Sequence, residues 1–216
     1  MNKNSMQLIM NRRILIIFLF ASSTISGCLG GGEEPSDDMV VLPILEDPCL
    51  IPSSLMTQSL TSIEVNGVER EFRLSAPSSE PGTRLPLVIA FHGGTDSQED
   101  FAQQEQFDQL GEQEKFVMAY AIAEQDRTAA EGEWFLNTAA TSEEDNNFAE
   151  AIVDELSESY CIDQDRLYAI GYSLGAMFTY EIACQLNHRF AATASFAGTM
   201  PVNPESCDLA RGIGIL

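Results

Sequence analysis

Basic residues are scarce in this sequence. Eleven of its 216 residues are Lys or Arg, against 33 Asp or Glu, and Lys115 is the only lysine after Lys3. Three of the eleven (Lys3, Arg12 and Arg13) fall in the first 27 residues, which hold no acid. The remaining chain therefore sets 8 basic groups against 33 acidic ones, a formal charge of −25. A surface of that sign repels phosphate backbones, which excludes nucleic acid as an expected partner. Histidine is scarcer still, with two in the chain, and there is no Cys-x-x-Cys pair or His-rich tract. Zinc sites of the usual spacing are thereby excluded, and no metal or organic cofactor is expected. No apolar run is long enough to cross a bilayer comfortably. With 44% apolar residues, what remains is a chain able to build one cored domain beneath an acidic shell.

The first 27 residues read as a targeting segment. Arg12 and Arg13 precede the apolar run Ile14–Ala21, and small residues lead to Cys28. A basic start, a short apolar middle and small residues before a cut describe a secretory signal. Ile25-Ser26-Gly27-Cys28 further matches a prokaryotic lipobox, with Cys28 as the lipidated, membrane-anchoring residue. The stretch 28–44, rich in Gly and acids, follows as a flexible tether, and the folded domain is expected over 45–216. An exported chain meets oxidising conditions, so the other four cysteines, Cys49, Cys161, Cys184 and Cys207, suggest two disulfides in one of three connectivities.

Within the domain, Asn66-Gly67 between two apolar-alternating stretches predicts a hairpin. Leu85–Phe91 is continuously apolar and predicts a strand buried on both faces. A helix is expected within 97–114, a strand over 116–122 and a long loop over 124–142. That loop carries Trp134, the sole tryptophan, as either a pocket-lining residue or a packed core residue. Residues 146–160 predict an amphipathic helix with Glu143, Glu144 and Asp145 at its favourable end. Further strands are expected at 166–170, 191–197 and 213–216, with a helix over 174–186. Strands alternating with helices at this spacing predict an α/β fold, a mostly parallel sheet with helices on both faces.

Gly171-Tyr172-Ser173-Leu174-Gly175 matches the G-x-S-x-G strand-to-helix elbow. Three fixed residues at ~7% each arise by chance in roughly one chain of this length in fourteen, so the pattern alone is weak. Its setting strengthens it, since an apolar strand runs in and a helix runs out. The bend requires small flanking residues, met by Gly171 and Gly175, and lifts the Ser173 hydroxyl to the carboxyl edge of the sheet. The Leu174 N–H then lies where an oxyanion would form. His92-Gly93-Gly94 follows an earlier buried strand, where a second oxyanion donor is expected from Gly94 or Thr95. His92 precedes the nucleophile and is read as shaping this loop. His188, at the far end of the helix, is read as a surface residue.

His92-Gly93-Gly94, Trp134-Phe135, Glu144–Phe148, the run Tyr160–Met177, Phe190–Ala192 and Ala197-Gly198 together resemble the polyhydroxybutyrate depolymerase and feruloyl esterase family of secreted α/β-hydrolases. The resemblance implies an α/β-hydrolase fold and an exported serine esterase acting on polyesters or phenolic esters. It also implies Ser173 as nucleophile and 92–94 as oxyanion loop. Where that family has a second Gly after the elbow, this chain has Ala176. The family's acid and histidine motifs are not in the chain, and are expected beyond Leu216. Asp163, Asp165 and Asp208 are not substitutes for them. Strand and helix directions put Cys161 and Cys184 at the same lower edge of the sheet, so they are expected to pair, leaving Cys49 with Cys207. A serine peptidase on this fold, or a binding lipoprotein without catalysis, are the alternatives.

Overall fold

The computed structural model describes residues 47–94, 105–124, 134–136, 143–200, 207 and 210–216. They belong to a compact unit spanning Ile44–Leu216. Cys28 and the signal and tether segments lie outside the described residues, as do Thr95 and Asp208.

The hairpin forms as its turn residues dictate. Strand β1 (Met56–Val65) and strand β2 (Val68–Ala76) pair antiparallel, and Val65 faces Val68 across the turn. Asn66 and Gly67 take φ of 53° and 82°, the paired left-handed conformations that suit the twist of the flanking strands. Strand β3 (Leu85–Phe91) has the bounds of its apolar run. It lies between β4 (Val117–Ala121) and β5 (Ile162–Tyr172), parallel to both. Strand β6 (Ala192–Phe196) and the short β7 (Gly214–Ile215) continue the parallel part. The order is β1-β2-β4-β3-β5-β6-β7, antiparallel only where β2 meets its neighbours.

Both faces of this sheet are covered. Leu85, Leu87, Ile89 and Phe91 of β3 belong to the larger core, with Phe148, Ile152 and Leu156 of helix α2 (Glu143–Ser159) and Phe178 and Ile182 of helix α3 (Leu174–Gln185). Alternation sends Val88 and Ala90 to the other face, where Met118 and Tyr120 pack with Phe107 of helix α1 (Glu105–Glu114). At about 25 cal/mol per Å² of apolar surface removed from water, the larger core dominates the favourable side of folding. The arrangement is the doubly covered, mostly parallel sheet of an α/β-hydrolase.

Helix α2 begins at Glu143, three residues earlier than its apolar stripe predicts. Its first turn absorbs the acids Glu143, Glu144 and Asp145, whose charge complements the helix N-terminus. Of the helix expected within 97–114, residues 105–114 are helical and 97–104 lie outside the described residues.

The expected pairing of Cys161 with Cys184 is overturned: Cys49 bonds Cys161, and Cys184 bonds Cys207. Both residues do sit at the lower edge, but at separate places along it. The carbonyl of Cys161 accepts the Leu85 N–H at the foot of β3 (2.8 Å). The 3-10 turn Pro48–Leu50 lies at that foot too, tied by the Gly82 N–H to the Cys49 carbonyl. Cys184 faces the chain between β6 and β7. Its carbonyl accepts from Asn187 Nδ2 (2.8 Å), and Asn187 Oδ1 accepts the Arg211 N–H (3.1 Å). Arg211 also donates to the Asn187 and Phe190 carbonyls, at 2.6 and 3.0 Å, and so secures the return to β7.

Candidate active site

Strand β5 ends at Tyr172, and helix α3 starts at Leu174 with Ser173 as its cap residue. Ser173 has φ 52° and ψ −115°, a conformation a side chain occupies only when its surroundings enforce it. Those surroundings are backbone. A Cβ on Gly171 would collide with the Gly175 carbonyl, and one on Gly175 would collide with the Phe91 carbonyl and lie 2.5 Å from that of His92. The Ser173 N–H donates to the Phe196 carbonyl (2.9 Å), fastening the bend to β6. The Ser173 hydroxyl makes no capping bond to the helix, the usual employment of a serine in this position. It stands half-buried at the carboxyl edge of the sheet.

The loop after β3 meets this elbow. Phe91 pairs in register with Gly171, so His92, Gly93 and Gly94 emerge at the same edge as Ser173. Gly94 lies against the side chain of Leu174, where an added Cβ would be 3.1 Å from Cδ2. Of the residues expected to form the site, Ser173, Leu174, Gly171, Gly175, His92, Gly93 and Gly94 thus converge. Thr95 lies outside the described residues. Ala176, where the resembled family has Gly, is fully buried, and its Cβ occupies the room left by Gly198.

Neither histidine serves Ser173. His92 is buried, and its Nε2 accepts the Ala123 N–H (3.1 Å). Because Nε2 must offer its lone pair there, the proton is on Nδ1, which donates to the Gly93 carbonyl (2.7 Å). Its ring therefore ties the Gly93 carbonyl to the Ala123 N–H. His188 is half-exposed beyond the last turn of α3, 3.6 Å from Glu150. Asp163 is likewise remote, at the foot of β5. There it pairs with Arg166 (2.8 Å), whose guanidinium hydrogen bond holds the carboxyl below the usual carboxylate range. Among the described residues, no three His, Cys, Asp or Glu side chains are grouped as metal ligands would be.

A buried ion pair supports the loop from behind. Arg70 Nη2 donates to Asp145 Oδ1 (3.0 Å), and both side chains are almost wholly buried. The other carboxylate oxygen accepts the Phe135 N–H (2.7 Å), and the guanidinium lies 4.1 Å over the ring of Phe148. Trp134, next in chain to Phe135, is a core residue rather than a pocket wall. It stacks on Phe178, meets Phe91 edge-on, and donates its indole N–H to the His92 carbonyl (2.9 Å). The sequence reading missed Arg70, yet a signal was present: it shares the inward parity of Phe72 and Leu74 along β2.

A parallel, doubly covered sheet with a serine on a strained strand-to-helix elbow defines the α/β-hydrolase class. Within that class the chain belongs to the Esterase PHB depolymerase family, whose sequence model matches residues 71–209. The protein NocK of Nocardia uniformis subsp. tsuyamanensis, which carries the name of an esterase, is 30% identical over 71% of this chain and 45% of its own. The bifunctional acetylxylan esterase/xylanase XynS20E of Neocallimastix patriciarum is 28% identical over 61% of this chain and 18% of its own. Among solved structures, the S-formylglutathione hydrolase of Agrobacterium tumefaciens superposes with a TM-score of 0.55 at 16% identity, over 68% of this chain and 62% of that one. At that identity the likeness is one of fold. The chain spans less than half the length of these curated relatives.

Proposed function

We propose that the protein is an exported serine esterase that cleaves carboxylic esters through an acyl-enzyme on Ser173. The observation that carries this reading is the elbow itself: a non-glycine residue held at positive φ, its hydroxyl unused by the helix, beside a Gly-rich loop. In the proposed reaction Ser173 Oγ gives its proton to a histidine and attacks the ester carbonyl. The resulting tetrahedral oxyanion is stabilised by the Leu174 N–H and by a donor of the loop near Gly94. Its collapse expels the alcohol, which takes the proton back from the histidine, and water then releases the acid by the same route. One oxyanion donor is typically worth about 3 kcal/mol, or ~10²-fold in turnover. The base and its acid partner are proposed to follow Leu216, in the order serine, acid, histidine.

One feature supports an ester with an apolar part, as in a polyhydroxyalkanoate or a feruloyl ester. Tyr172, next in chain to Ser173, pairs in register with Phe196, and both are exposed, whereas the other described aromatics are buried or half-buried. The relative named as an acetylxylan esterase supports the wider class of carboxylic esters. The protein expressed from its own gene is expected to hydrolyse p-nitrophenyl butyrate and methyl ferulate, and to leave peptide p-nitroanilides uncut. Faster cleavage of the anilides would make it a peptidase, and no turnover of either would make it a binding protein. The 216-residue chain alone is expected to turn over esters at least ~10³-fold more slowly, because an unassisted serine is a poor nucleophile.

Export and anchoring at Cys28 complete the proposal. They are supported by the lipobox pattern and by two disulfides, which persist in oxidising compartments. Radiolabelled palmitate should enter the wild-type protein and not the Cys28→Ser variant; equal labelling of both would remove the anchor.

A further inference from the structure

Residues 92–94, which open the oxyanion loop, are glycine-rich and without regular structure, yet each peptide plane here has an orientation that something must enforce. A trans peptide unit is planar, so its C=O and N–H point in opposite directions. Holding one carbonyl therefore aims the next residue's N–H. The carbonyl of His92 is held by the Trp134 indole N–H (2.9 Å), which fixes the Gly93 N–H. The carbonyl of Gly93 is held by Nδ1 of the buried His92 ring (2.7 Å), and that ring is anchored in turn by the Ala123 N–H at the end of β4 (3.1 Å). The Gly94 N–H must then point away from the buried imidazole, and Gly94 itself lies against the Leu174 side chain of the elbow. Two glycines in sequence have the widest choice of backbone conformation of any pair, so these two bonds remove a freedom the sequence itself leaves open.

We infer that Trp134 is a positioning residue for the oxyanion hole: by its indole N–H it holds the His92 carbonyl, and through the His92–Gly93–Gly94 peptides it sets the direction of the loop's oxyanion donor. This rests on the esterase reading of Ser173. Trp134 is itself held twice over. Its ring is wedged between Phe91 and Phe178, at centroid distances of 5.1 and 5.4 Å, and the neighbouring Phe135 N–H is fixed by the Asp145 carboxylate. The segment around Trp134 thus joins the ion pair behind the sheet to the loop above it. Any buried indole N–H must find an acceptor; the one found here is the carbonyl that opens the glycine-rich loop.

The test separates the N–H from the ring. Two variants are made in the protein expressed from its own gene: Trp134→Phe, and Trp134 replaced by benzothienylalanine, which keeps the bicyclic shape and has sulfur in place of N–H. For each, kcat and KM on p-nitrophenyl butyrate are measured together with the affinity for a trifluoromethyl ketone, whose adduct on a serine mimics the tetrahedral oxyanion. The expected result is a kcat lower by ~10-fold, a KM within about twofold, and ketone affinity lower by the same factor as kcat, since a misaimed donor weakens the transition state and not the ground state. Unchanged kcat and ketone affinity in either folded variant would overturn the inference, as would a change confined to KM. The benzothienyl variant covers the case in which Phe leaves too large a void to fold. Ser173→Ala, run beside them, tells the two readings apart. If it stays active, the serine mechanism falls; if it is dead while both Trp134 variants match wild type, only the positioning role falls.

Discussion

Replacing Ser173 by glycine is expected to abolish ester hydrolysis and, at the same time, to make the protein more stable. The two effects have one origin. At φ 52° and ψ −115° the residue sits where a Cβ is strained, which costs of order 1–3 kcal/mol and is tolerated only because the surrounding backbone leaves no alternative. Glycine relieves that strain. It also loses more chain entropy on folding, by about 0.4–1 kcal/mol, so the net gain over Ser173→Ala should be about 1 kcal/mol. For a domain of this size, that is about 2–4 °C in Tm by calorimetry. Both variants remove the nucleophile, and kcat should fall by at least ~10⁴-fold in each, since loss of a triad serine leaves only binding and oxyanion stabilisation. Equal Tm values for Ser173→Gly and Ser173→Ala would show that the elbow stores no strain. Residual activity within a hundredfold of wild type would show that another group attacks the ester.

The parts of this site that could be read in the sequence are those set by neighbours along the chain. Asn66-Gly67 announced its turn because paired left-handed conformations are local. The apolar run Leu85–Phe91 announced a strand covered on both faces because alternate residues have no polar side to turn outward. The elbow was legible for a related reason, since Gly171, Ser173 and Gly175 satisfy one bend within five residues. The parts that could not be read depend on which distant segments meet. Strand and helix direction placed Cys161 and Cys184 at one edge correctly. They carried no information on position along that edge, where Cys49 and Cys207 arrive from elsewhere in the chain. Asp145 looked like one of three acids at a helix end. Its burial follows from Arg70, 75 residues away and itself legible only by strand parity. Trp134 could not be assigned between core and pocket, because a long loop has no period from which to read a direction.

Gly175→Ala is expected to damage both fold and activity severely. Its Cβ would fall on the carbonyl oxygen of Phe91 and within 2.5 Å of that of His92. These are backbone atoms at the end of a central, largely buried strand, and they cannot rotate aside as a side chain can. Relief requires helix α3 to move away from β3, undoing the packing of Phe178 against Phe91 and Trp134. Overpacking of this kind, against backbone that cannot yield, costs about 3 kcal/mol, the upper end of the usual range, or about 6–12 °C in Tm for a domain of this size. The catalytic loss should exceed what instability explains. The two carbonyls that are struck belong to the strand end and loop that aim one oxyanion donor, while the helix that recoils carries the other at Leu174. At a temperature where the variant is folded, kcat should still be lower by ~10²-fold or more, the value of one misplaced donor. Neighbouring glycines supply the controls. An alanine at Gly212 would meet nothing within 4 Å, and one at Gly94 would meet the side chain of Leu174, most closely its movable Cδ2 at 3.1 Å, so both should fold nearly as wild type. Were Gly175→Ala to match Gly212→Ala in Tm and in kcat, the close approach of helix and strand would not be what holds Leu174 and the loop in register, and the proposed oxyanion hole would lose its physical basis.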